Sequence, residues 1–190
     1  MRLLLAACLG GLVLFFWGFV ANMLLPLGNL GYESPVAEDP VLAAMQANFP
    51  REGVYILPNL TPEQYADPVA SEAYAKKSAA SPYAFIVYQP QGENGLDMVE
   101  ELSLQLASTV LASALMAWVL GLAPWGFAKR VVVSTVLGVF AWMAVAVPLW
   151  TWYRFPADYI GGMLVQQFVG WLLAGIAIAW VLGRKVRRPY

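Results

Sequence analysis

Four stretches of this chain, residues 3–25, 102–122, 131–150 and 160–182, contain no charged side chain and consist largely of Leu, Val, Ala, Ile and aromatic residues. A helix rises 1.5 Å per residue, so about twenty residues cross a hydrocarbon layer of about 30 Å and each stretch is long enough to span one. The composition fits that solvent. Charged residues make up 12% of the 190 and hydrophobic ones 60%, whereas about a quarter of an ordinary soluble domain is charged. The expected fold class is membrane all-α, a four-transmembrane-helix bundle with a small α+β extracytoplasmic domain inserted between helices 1 and 2. Residues 1–30 make the first span, 31–97 the inserted domain, and 98–190 helices 2 to 4 with a basic cytoplasmic tail.

The net charge of −1 conceals a strong asymmetry, because all 12 acidic residues lie between residues 33 and 158. Arg2, Lys129, Arg130, Arg184, Lys185, Arg187 and Arg188 sit instead at the termini and between the second and third runs. An even number of spans puts both ends on one side, and the excess of Lys and Arg marks that side as cytoplasmic. The expected topology is N-in and C-in with loop 31–97 outside, and compact connections of this kind fit a bacterial inner membrane. Run 3–25 continues through Phe15, Phe16 and Trp17 to Pro26 and reads as an anchor rather than a cleaved leader. Leu5-Ala6-Ala7-Cys8 resembles a lipidation box, but too few residues precede Cys8 for a leader's charged and apolar regions.

Lipid supplies no hydrophobic drive between helices, so close approach depends on small residues. Thr109, Ser113, Ala117 and Gly121 share one face of the second span, Gly162, Gln166, Gly170 and Ala174 one face of the fourth, and Gly10 and Gly18 give a weaker stripe on the first. The second and fourth faces are expected to meet each other or another chain, which makes membrane lipids and either another membrane protein or a second copy the expected partners. The short segment 121–129 predicts a tight antiparallel hairpin of spans two and three, and Pro148 a bend near the far end of span three.

Within 31–97 the character changes, with eight prolines and six tyrosines but no run long enough to span. Asp39-Pro40 predicts a helix start with Asp39 as N-cap, Thr61-Pro62-Glu63-Gln64 a capping box, and Asp67-Pro68 a further helix through residue 79. Gly53–Leu57 and residues 83–88, β-branched and aromatic, predict two strands. Two strands alone are marginal, so this layer is expected to lean on the bundle or on a partner.

The chemical repertoire is narrow. The chain has one cysteine and no histidine, which excludes internal disulfides, zinc fingers, His-ligated haem and imidazole acid–base chemistry. No cofactor, metal or catalytic set is expected, and the sparse basic residues exclude a nucleic-acid surface. Polar groups inside a bilayer are the natural functional candidates because each is costly unless paired or hydrated. Asn22, Gln105, Gln166 and Gln167 fall in the outer halves of spans one, two and four, near Glu100 and Glu101 and near Arg154 and Asp158 in the aromatic stretch 150–159. Closure of the bundle would bring Asn22, Glu100, Glu101, Gln105, Arg154, Asp158 and Gln166 toward one outward-facing polar pocket. The plainer reading has the amides bridging helices and the charges capping helix ends. The function expected is a non-catalytic accessory or binding component of a membrane assembly. The alternatives are a small transporter or lipid-binding protein using the pocket, and an enzyme of lipids or envelope precursors with Glu100, Glu101 or Asp158 as acid or base.

Overall fold

A computed structural model describes residues 1–183; the basic cluster Arg184, Lys185, Arg187 and Arg188 lies outside the described residues. Helix α1 runs over Arg2–Phe19 and widens into a π turn at Val20–Leu24, followed by a 3-10 turn at Pro26–Asn29. Proline forces the break: Pro26 has no N–H to give and drives Leu25 to an extended conformation, φ −104° and ψ 152°. Helices α5 (Val99–Gly121), α6 (Phe127–Tyr153) and α7 (Ala157–Gly183) follow the inserted segment. Together with Arg2–Leu24 they make four helices long and apolar enough to cross a membrane, the make-up of a helical multi-pass membrane protein. Helix α5 begins with Glu100 and Glu101 in its first turn, where carboxylates favour the positive end of the helix dipole.

The order of packing is set by which glycines meet which bulky side chains. A β-carbon on Gly11 would lie 2.6 Å from the Val110 backbone, and one on Gly10 would lie 3.1 Å from Ser113 and 2.8 Å from Ile178. Helix α1 is therefore pressed against α5 on one side and α7 on the other. Gly170 receives Trp17 and Leu14, Gly162 receives Leu30, Gly138 receives the Trp171 ring, and Gly175 receives Ser134. Successive helices run antiparallel, α5 beside α1, α1 beside α7 and α7 beside α6. Two expectations are corrected by this order. The small-residue faces of α5 and α7 pack mainly on the two sides of α1 and only slightly on each other, and Gly18 and Gly121 have nothing within 4 Å. The hairpin of α5 on α6 does not close, because the small face of each is already occupied, by α1 and by α7 respectively.

Three indole and hydroxyl groups hold the layers in register. Trp17 Nε1 of α1 donates to the Gln166 carbonyl at 3.0 Å, Trp142 Nε1 of α6 to the Ile160 carbonyl at 3.0 Å, and Ser134 Oγ of α6 to the Trp171 carbonyl at 2.9 Å. All three acceptors belong to α7. The apolar core sits toward the end where α1 begins and α7 finishes, with Ala6, Met116, Ala117, Leu120, Ile178 and Val181 buried together. At that end the α5–α6 connection is secured by Arg130 Nε, which donates to the Leu120 carbonyl at 3.3 Å, and by Lys129, whose ammonium lies 5.3 Å from the Trp125 ring centre.

Residues 34–95 form a second compact unit of α2 (Glu38–Asn48), β1 (Gly53–Leu57), α3 (Pro62–Tyr65), α4 (Pro68–Ala80) and β2 (Ala84–Tyr88). Strands β1 and β2 pair antiparallel, from Gly53 opposite Tyr88 to Leu57 opposite Ala84. Phe49 stacks on Tyr55 at 4.0 Å and Tyr88 meets Phe49 edge-on at 5.2 Å, which gives this small layer an aromatic centre. The capping box forms as its sequence predicts: Gln64 N–H donates to Thr61 Oγ1 and Thr61 N–H to Gln64 Oε1. Asp67 caps α4 by accepting from Val69 N–H at 2.9 Å. The expected Asp39 cap is corrected. Helix α2 starts two residues earlier with Ala37 as N-cap and no side-chain cap, and Glu38 and Asp39 lie in its first turn. Pro40 then occupies the third helical position, where the missing N–H is one of those with no partner inside the helix.

Candidate functional site

The polar candidates are placed by the local geometry of three helices. The π turn at the end of α1 sets Asn22, whose Nδ2 donates to the Gly18 carbonyl at 2.8 Å; single wide turns of this kind recur at functional sites. Asn22 Oδ1 in turn accepts from Gln166 Nε2 of α7 at 3.4 Å. The next residue of α7 is Gln167, whose Oε1 accepts from Trp171 Nε1 at 3.1 Å, which leaves its NH2 group outside that bond. Helix α5 contributes Gln105, Ser108 and Thr109 from neighbouring positions of one face. Thr109 Oγ1 donates back to the Leu106 carbonyl at 2.9 Å, while the Gln105 amide and the Ser108 hydroxyl make no hydrogen bond to the described residues.

These groups share one groove of about 630 Å³, bordered by α1, α5 and α7 and lined among others by Asn22, Gln105, Ser108, Thr109, Gln166 and Gln167. Its remaining wall is apolar and aromatic, with Phe15, Trp17, Leu102 and Trp171. It lies where α5 and α7 each pack mainly on α1 and only slightly on one another. No charged side chain belongs to the lining.

Of the seven sequence candidates, Asn22, Gln105 and Gln166 come together here, and Glu100, Glu101, Arg154 and Asp158 do not line the groove. Glu101 stands one turn before Gln105 on α5, exposed. Arg154 is the C-cap of α6 in the left-handed conformation, φ 57° and ψ 31°. Asp158 opens α7, and its Oδ1 accepts from the Tyr159 N–H at 2.9 Å. Gly31, at φ +76°, lies so close that a β-carbon there would sit 3.2 Å from that oxygen and 2.7 Å from Tyr159. Arg154 and Asp158 thus terminate helices, and no residue of α6 reaches the groove.

Ser108, Trp17 and Trp171 were absent from the sequence candidates. The tryptophans carried a readable signal: they lie well inside their spans, whereas Trp usually marks the membrane interface. Ser108 carried none, since a lone serine in an apolar helix ordinarily bonds its own backbone. Among the described residues no three His, Cys, Asp or Glu side chains come together as a metal site. Compared with protein-family models, with curated proteins and with solved structures, the chain matches none.

Proposed function

We propose that this chain is a four-transmembrane-helix protein of a bacterial inner membrane, with both termini in the cytoplasm and the α+β unit outside, and that it is a non-catalytic binding component whose working part is the groove between α1, α5 and α7. The basic residues Arg2, Lys129 and Arg130 all belong to one end of the helices and support that orientation. One observation carries the binding role: Asn22, Gln105, Gln166 and Gln167 come from three helices to one groove of about 630 Å³, within the range of about 300 to 1,000 Å³ usual for small-molecule sites. Its polar groups are amides and hydroxyls, which hydrogen-bond but do not exchange protons near neutral pH, and this favours holding a molecule over transforming it. The small-residue faces of α5 and α7 are filled by α1, so the groove is the more open route by which the chain engages another membrane component.

The test is native mass spectrometry of the full chain purified from its own membrane in mild detergent. A tightly retained amphiphile at one per chain, depleted by Gln105→Leu at unchanged melting temperature, is the expected result. A chain that emerges bare, or whose retained molecules are indifferent to Gln105, would remove the groove from its function.

A further inference from the structure

Resting on the binding role just proposed, we infer that the groove takes an uncharged amphiphile: alkyl chain against the aromatic wall, and a head of hydroxyl, ester or amide groups against the amides. Three observations lead there. The first is the hydrogen-bond inventory. Asn22 and Gln166 satisfy each other in part, and Gln167 accepts from Trp171, but Gln105 offers two donors and an acceptor that no described residue takes up. An amide left open in hydrocarbon is unfavourable. A head that both donates and accepts satisfies it, and with it Ser108 and the NH2 of Gln167.

The second is charge. A phosphate is held by guanidinium or ammonium groups, and the lining has neither. Lys129 and Arg130, the basic residues between α5 and α6, are engaged with Trp125 and the Leu120 carbonyl beyond the buried core. The nearest charges along α5 are carboxylates, Glu100 and Glu101 in its first turn, and they repel an anionic head.

The third is size. A helix is about 10 Å across and displaces about 80 Å³ per ångström of its length, so 630 Å³ accommodates less than two turns of a partner helix. It matches a chain-and-head molecule better.

The experiment offers the full chain, in detergent, an equimolar mixture of a monoacylglycerol, a phosphatidylethanolamine and a phosphatidylglycerol, and reads retention by native mass spectrometry for the natural chain, Gln105→Leu and Gln105→Glu. The monoacylglycerol should be retained about tenfold over phosphatidylglycerol. Gln105→Leu should weaken that retention about two- to tenfold, the size of one uncharged hydrogen bond, with the melting temperature unchanged because Gln105 is exposed. Gln105→Glu should not shift the preference toward phosphatidylglycerol. Preferential retention of either phospholipid overturns the uncharged head and leaves the binding role standing. Retention of the monoacylglycerol that ignores Gln105 overturns its placement in this groove, and retention of nothing above the detergent background overturns both readings.

Discussion

Arg154 is the one non-glycine among the described residues with a positive φ, 57°, and it ends α6 as a left-handed C-cap, with the next N–H, that of Phe155, donating to the Leu149 carbonyl at 3.2 Å. Glycine usually fills such a position, since a β-carbon there costs about 1 to 2 kcal/mol. Arg154→Gly should therefore be more stable than Arg154→Ala by about 1 kcal/mol in detergent unfolding. Both variants lose the guanidinium, so equal stabilities would mean that the left-handed turn is not maintained. Glu63 illustrates a second residue-level effect. Its own backbone N–H, and then the Thr61 hydroxyl, hold its carboxyl below the ordinary 4.5 despite a small opposing effect of burial. A lowered folded pKa stabilises the folded form above the unfolded value, and that contribution disappears as pH falls through the folded pKa. The Glu63 carboxyl resonance should thus titrate below 4.5, and Thr61→Ala should move its midpoint back up while costing α3 its cap.

At the scale of elements, the helix contacts make a paired prediction from two glycines of α1. A β-carbon on Gly11 meets the Val110 backbone at 2.6 Å, and backbone cannot swing aside. Gly11→Ala should destabilise the α1–α5 contact by about 1 to 3 kcal/mol. Gly18 has nothing within 4 Å, and Gly18→Ala should stabilise α1 by up to about 1 kcal/mol through reduced backbone freedom. Comparable losses in both, measured by the same unfolding assay, would contradict the packing order. These residues also show where the sequence was legible. The long uncharged runs, the Thr61 capping box and the two strands could be read because each depends on neighbours a few positions away. The order α5, α1, α7, α6 could not, because a small-residue stripe shows that something approaches closely without naming it. Asn22, Gln105 and Gln166 were recognisable as costly in lipid. Their convergence depends on the π turn and on indole bonds between residues as distant as Trp17 and Gln166, which no local pattern encodes. The Asp39 cap was misread because Asp-Pro also suits a first turn, as it does after Ala37.

For the whole molecule, the proposed orientation can be checked in cells. In a Cys8→Ala background, Glu93→Cys should label with a membrane-impermeant maleimide from outside intact cells, and fluorescent proteins that mature only in the cytoplasm should light up when fused to either end. Labelling of Glu93→Cys only after lysis would reverse the orientation. The central position of α1 also bears on how the chain is made. Helix α1 leaves the ribosome first, yet both flanks it will cover, on α5 and on α7, are synthesised only after the whole of the inserted unit. During that interval Gly10 and Gly11 lack the Val110, Ser113 and Ile178 neighbours they meet in the folded chain. Helix α5, once made, has no broad mate other than α1, whereas α6 and α7 can pair as soon as α7 is complete. The segment made earlier than the other three helices is thus the one that must end between them, and anything that diverts α1 leaves α5 without its main partner.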